Sequence, residues 1–111
     1  AVINPITAIT REKNGIVLSI EHEYVVEKII EECLSVAKEE GYFFSKISVL
    51  ESVLSVVSKT FMNTSSMLQD VLNGKQTEIA SINGYVIKLA DKHAIPVPIN
   101  NTLFALVKVM E

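Results

Sequence analysis

Few side chains in this sequence could carry chemistry, and their spacing narrows the choice quickly. His22 and His93 stand far apart and belong to no HExxH or CxxC pattern, so a zinc site is not expected. Cys33 is the single cysteine, which excludes a disulfide within the chain and suits a reducing, cytosolic setting. No spacing argues for a Ser–His–Asp arrangement. No GxGxxG or Walker-type loop is present, so the chain has no cofactor-phosphate cradle of its own. Composition and spacing alone therefore stop at a soluble, cytosolic helical domain and single out no binding site. Asn4 before Pro5, Asn14 before Gly15, Ser66 before an apolar run and Glu78 after Thr77 each have a structural reading. Asn4 can cap a helix that Pro5 opens. Asn14-Gly15 is a common turn or helix end. Ser66 can cap a Met67–Leu72 helix and so aim backbone amides at an anion. Glu78 can be a first-turn carboxylate behind a Thr77 cap.

The elements that must position these residues are helical. Val26, Ile29, Ile30, Cys33, Leu34 and Ala37 recur at spacings of three and four, which predicts a helix over about 21–40 that stops at Gly41. Its glutamates, Glu23, Glu27, Glu31 and Glu32, are expected in solvent. Ile47, Leu50, Val53, Leu54, Val57 and Phe61 form a second stripe; the Val- and Ser-rich composition allows a strand, but length and spacing favour helix. A third helix is expected from Thr77, with Ile79, Ile82, Val86, Leu89 and Ala90 on one side and Gly84 inside it, where another helix or domain must come close. Ile95-Pro96-Val97-Pro98 must be extended. A last helix is expected from a Thr102 cap through Met110, and shorter ones near Pro5 to Lys13 and Ser66 to Leu72. Tyr42, Phe43 and Phe44 are expected to plug a helix junction, Cys33 to fill core, and Asp70 to pair with a nearby cation. The whole reads as an all-α helical bundle.

At 111 residues and a formal charge of −3, the chain fits one domain, 1–111, with an aliphatic core. No basic stripe points to nucleic acid and no apolar run points to a membrane span. There is no initiator Met and no signal-peptide pattern; a chain opening on AVINP reads as a domain excised from something longer.

Three segments, in order, carry a resemblance. They are Asn4-Pro5-Ile6-Thr7-Ala8 with Asn14-Gly15; Ser65-Ser66-Met67-Leu68-Gln69-Asp70, Gly74, Thr77-Glu78-Ile79 and Ile82-Asn83-Gly84; and Ile95-Pro96-Val97-Pro98-Ile99-Asn100. Together they resemble the C-terminal domain of ketopantoate reductases (2-dehydropantoate 2-reductases), over nearly the whole chain. The resemblance implies a helical bundle like the C-terminal domain of 6-phosphogluconate dehydrogenase. It also implies an N-terminal Rossmann domain binding NADPH, which would lie outside this chain. Substrate would sit between the two domains and ketopantoate would be reduced to pantoate in the cytoplasm, for pantothenate and coenzyme A synthesis.

By the same resemblance, Asn4 and Asn14 match substrate-binding asparagines, Ser66 the serine that bonds the substrate carboxylate, and Glu78 an active-site glutamate that orients a catalytic lysine and meets the substrate hydroxyl. That lysine and a further asparagine would precede Ala1; Lys13 and Lys75 are not their equivalents, so the chain alone is expected to be inactive. The family places Arg where Lys75 stands, and Lys cannot form the bidentate fork. Two other readings are kept: a stand-alone dimerisation or regulatory module, and a reductase of another 2-oxo acid. A homodimer through the helical domain is an expected partner arrangement.

Overall fold

The computed structural model describes residues 1–111 and contains six α-helices and no strand. These are α1 (Ile3–Thr10), α2 (Glu23–Glu39), α3 (Lys46–Lys59), α4 (Ser66–Leu72), α5 (Asn83–Lys92) and α6 (Pro98–Met110), with 3-10 turns at Asn14–Leu18 and Ile20–His22. The all-α architecture is the one expected.

α2 buries Val26, Ile29 and Ile30 of the anticipated stripe, leaves Leu34 and Ala37 half-buried, and also buries Val36, which the stripe did not include. Half-buried Cys33 packs against the main core, and burial pushes its thiol up. The helix ends where Gly41 takes a left-handed φ of 88°, a conformation open to glycine. α3 starts behind Ser45, whose Oγ accepts from Ser48 N at 2.9 Å. It lies at the edge of the molecule, packed mainly on α2 and the first 3-10 turn. Only Val57 of its stripe is fully buried, and Ile47 and Phe61 are exposed.

Three cores hold the bundle. The largest joins Val2, Ile6 of α1, Val17, Val26, Ile29 and Ile30 of α2, Val57 and Leu103. The second joins Ala8, Met67, Val71, Ile79 and Val107. The third joins Val36, Ala90 and Val97, beside a carboxylate pin in which Glu40 accepts from Lys92 Nζ at 3.2 Å and bonds His93 Nε2.

Several expectations are corrected. α5 begins at Asn83, not at Thr77; residues 77–82 form turns in which the Glu78 carbonyl accepts from Ser81 N at 2.9 Å and Ile82 N at 3.1 Å. Gly84 is therefore in the first turn of α5, and a Cβ there would meet the Phe104 ring at 3.1 Å and the Ile79 carbonyl at 3.3 Å, the close approach its position suggested. α6 begins at Pro98, four residues before Thr102. Pro98 presets the helical φ, and the Glu32 carboxylate accepts from Ile99 N and Asn100 N at 3.0 Å each, so no Thr cap is needed. Thr102 instead bonds back to the Pro98 carbonyl at 2.8 Å. Glu32 is thus turned inward, unlike Glu23 and Glu27. Tyr42, Phe43 and Phe44 plug no junction: they are 63, 77 and 61% exposed, on a linker that no other element covers. Asp70 makes no ion pair; its carbonyl accepts Lys75 N at 2.8 Å.

Candidate functional site

Two stretches remote in sequence are stitched together by hydrogen bonds. Asn14 N donates to Asn63 O and Gly15 N to Phe61 O, both at 2.9 Å. Lys13 Nζ donates to Thr64 Oγ1 at 2.8 Å, and Asn14 Nδ2 to Thr60 Oγ1 at 3.0 Å. Further along, the buried hydroxyls of Thr7 and Ser65 meet at 2.6 Å. Residues 4–15 and 60–66 therefore form one ridge, which carries three of the four candidates: Asn4, Asn14 and Ser66.

The candidates differ in how far the fold already occupies them. Asn14 is buried; its Nδ2 is used by Thr60, while its Oδ1 is buried without a donor. Leaving such an acceptor unmet costs about 1–3 kcal/mol. Ser66 is exposed and is not the cap. Ser65 caps α4, accepting from Leu68 N at 3.1 Å, and this leaves the Ser66 hydroxyl free. Asn4 does not cap α1 either: the residue before that helix is Val2, with no side-chain cap, and Asn4 lies half-buried within the first turn with Pro5 following.

Glu78 sits on the turn before α5, exposed and with no side-chain bond within the chain. Met67 and Ile79, which follow Ser66 and Glu78, share one core with Ala8 of α1. Glu111 holds the turn from beneath. Its Oε2 accepts from Thr77 N at 3.0 Å and Thr77 Oγ1 at 2.5 Å. Hydrogen bonds from Thr77 and Lys108 lower its pKa from 4.5 to about 2. Thr77, expected as a helix cap, is instead an anchor.

Two open grooves flank α2. One, of about 580 Å³, is lined by Leu18, Ile20, Val26, Glu27, Lys46 and Leu54 and contains none of the candidates. The other, of about 540 Å³, is apolar apart from Asn4 and Ser52 and runs from Ala1 and Asn4 across Ile30 and Cys33 to Phe44 and Val53. The four candidates do not close into a pocket by themselves. Asn4, Asn14 and Ser66 offer an amide, a buried acceptor and a hydroxyl on the ridge, and Glu78 offers a carboxylate on the turn before α5. Such a set can hold a small hydroxylated carboxylic acid once something covers it. It contains no metal-binding cluster. Thr7, Thr60 and Ser65, which build the ridge, and Glu111, which holds the Glu78 turn, were given no such role in the sequence. Their partners are 34 to 58 residues away, and only folding brings them together.

Comparison with known proteins agrees with this architecture. The family model described as ketopantoate reductase PanE/ApbA, C terminal, matches residues 1–111. The 2-dehydropantoate 2-reductase of Escherichia coli O157:H7 is 40% identical over 107 residues, covering 96% of this chain and 35% of the relative. That of Archaeoglobus fulgidus is 41% identical over 112 residues, covering 100% of this chain and 37% of the relative. A crystal structure of a PanE/ApbA family ketopantoate reductase from Ralstonia eutropha superposes with a TM-score of 0.87 at 32% identity, covering 98% of this chain and 37% of that one. The chain thus spans little more than a third of the length of these relatives, and the part it matches is helical. It belongs to the ketopantoate reductase family, as the C-terminal domain of that family.

Proposed function

We propose that residues 1–111 are the substrate-binding helical domain of an NADPH-dependent 2-dehydropantoate 2-reductase, a cytoplasmic enzyme that reduces ketopantoate to pantoate toward pantothenate and coenzyme A. The observation that carries this reading is the stitched ridge. It gathers Asn4, Asn14 and Ser66 from segments some 50 residues apart, with Glu78 on the adjoining turn. Within the family, these are polar groups suited to a small hydroxylated 2-oxo acid. Ser66 bonds the substrate carboxylate, Asn4 and Asn14 bond carboxylate or hydroxyl oxygens, and Glu78 accepts from the substrate hydroxyl while orienting the proton donor. The alkoxide that develops at C2 needs a proton, and we assign that donor to a lysine outside residues 1–111. The residues present do not fit a dinucleotide. The chain has no strand and no glycine-rich phosphate loop, so the nucleotide is assigned to an N-terminal Rossmann domain outside residues 1–111.

The test is an assay of ketopantoate-dependent NADPH oxidation. The full-length protein should turn over and the 111-residue chain alone should not exceed a blank. A full-length protein that rejects ketopantoate but reduces another 2-oxo acid would leave the family in place and replace the substrate. A second reading, a non-catalytic dimerisation module, draws on the exposed Phe43, Phe44 and Ile47 at the α2–α3 corner. It predicts a native protein of only this size and no turnover.

A further inference from the structure

α1 contains a proline where a helix needs a donor. Val2 already has helical angles, φ −94° and ψ −61°, so the hydrogen bond due at the Ala1 carbonyl is one from the N–H of residue 5. Pro5 has no N–H. The Ala1 carbonyl is met instead by a side chain far away in sequence: Asn83 Nδ2 donates to it at 3.2 Å. The second hydrogen of the same Nδ2 goes to Asn100 Oδ1 at 2.9 Å. Asn83 and Asn100 are both fully buried.

The orientation of these amides is fixed by a carboxylate. Glu32 Oε1 accepts from Asn100 Nδ2 at 2.8 Å and from Asn100 N at 3.0 Å. A carboxylate only accepts, so Asn100 must turn its oxygen toward Asn83, and Asn83 must turn its nitrogen toward both Asn100 and Ala1. Asn83 Oδ1 is left buried with no donor. The residue is therefore placed for its two donations, not for its acceptor, which the fold tolerates unmet. At the other end of α1, Thr7 is bonded to Ser65 at 2.6 Å and to the Asn4 carbonyl at 3.1 Å. Asn4 lies between these two anchors, one turn from each.

We infer that Asn83 is a positioning residue for the substrate site: its amide replaces the helix hydrogen bond that Pro5 cannot make to Ala1, and so fixes the turn that carries Asn4. Glu32 and Asn100 set the polarity of that relay. Any segment joined ahead of residue 1 leaves the domain through the same turn, so the relay also sets its direction. The substrate side of this inference rests on the reading of Asn4 given above; the coupling between positions 5 and 83 does not.

The test uses the full-length protein and the variants Asn83→Ala, Pro5→Ala and the pair together, read by ketopantoate kinetics and thermal unfolding. Asn83→Ala should lower kcat/KM for ketopantoate by about tenfold or more, within the range that an ångström-scale misplacement produces, with KM for the nucleotide unchanged. Pro5→Ala restores a backbone donor to Ala1, so adding it should recover most of the lost kcat/KM. A folded Asn83→Ala protein with unchanged kcat/KM, or a folded pair showing no recovery, would overturn the inference. If Asn83→Ala does not fold, the pair carries the test: recovery of folded protein supports the relay, and a pair equally unfolded contradicts it. If the wild-type protein does not reduce ketopantoate at all, the functional reading fails. Coupling between positions 5 and 83 in a double-mutant cycle of stability then decides the relay separately.

Discussion

Ser65 and Ser66 are adjacent and chemically identical, yet the fold gives them opposite tasks. Ser65 is buried, caps α4 and bonds Thr7; Ser66 is exposed and bonds nothing in the chain. Ser65→Ala should therefore cost about 1 kcal/mol of stability or more, as loss of an N-cap does. Ser66→Ala should stay within about 0.5 kcal/mol, as surface changes do, and should raise KM for ketopantoate in the full enzyme. Urea unfolding and steady-state kinetics on the two variants separate these outcomes. The sequence alone could not choose between the two serines, because either could precede the apolar run Met67–Leu72. The choice is made by Thr7, which lies 58 residues before Ser65 and whose hydroxyl must find a partner in the core. Asn14 was likewise ambiguous as part of an Asn-Gly turn. Its buried oxygen without a donor becomes visible only when Thr60 and Asn63 are seen to close over it.

At the scale of elements, helix periodicity was legible wherever a stripe faced a core, as in α2, and helix starts were not. Both misplaced starts have a carboxylate behind them. Glu32 caps α6 from α2, so α6 can open at Pro98 without a local cap. Glu111 accepts from Thr77, whose hydroxyl in turn accepts from Ile79 N at 3.3 Å, so Thr77 is tied into the turn at Glu78–Ile82 and α5 opens only at Asn83. Local propensity carries no trace of a partner 34 or 67 residues away. Glu32→Ala should destabilise by roughly 2 kcal/mol, the scale of hydrogen bonds to a charged group, and should speed amide exchange at Ile99 and Asn100. Glu111 gives a pH dependence whose sign is fixed. Its folded pKa, about 2, lies below the ordinary 4.5. Its contribution is therefore complete above the ordinary carboxylate range and is lost as pH falls from about 4.5 toward 2. Glu111→Gln should flatten stability over that interval relative to wild type, and should raise hydrogen exchange at Thr77 and Ile79. Equal acid profiles for the two proteins would remove Glu111 as the anchor of the Glu78 turn.

At the scale of the whole molecule, the helical bundle was fully legible in the sequence. The placement of its apolar surface was not. Periodicity says which residues share a helix face but not whether a neighbour covers it. The stripe of α3 and the Tyr42–Phe44 linker were assigned to the interior and lie largely outside it, with Phe43 77% and Ile47 69% exposed. No helix is long and apolar enough to cross a membrane. These side chains form an exposed apolar surface at the α2–α3 corner. The ridge has the same character: Asn4, Asn14 and Ser66 close no pocket by themselves and need a covering surface to become a site.

Glu78 tests this account most directly. It alone among the four candidates is exposed, carries a charge and makes no side-chain bond within the chain, so its removal leaves the fold untouched. In the full-length protein, Glu78→Gln should keep the wild-type unfolding temperature and lose about 100-fold or more in kcat/KM for ketopantoate, the scale of general acid–base participation. A Glu78→Gln enzyme that folds normally and reduces ketopantoate at the wild-type rate would contradict the assignment of this ridge as the substrate site.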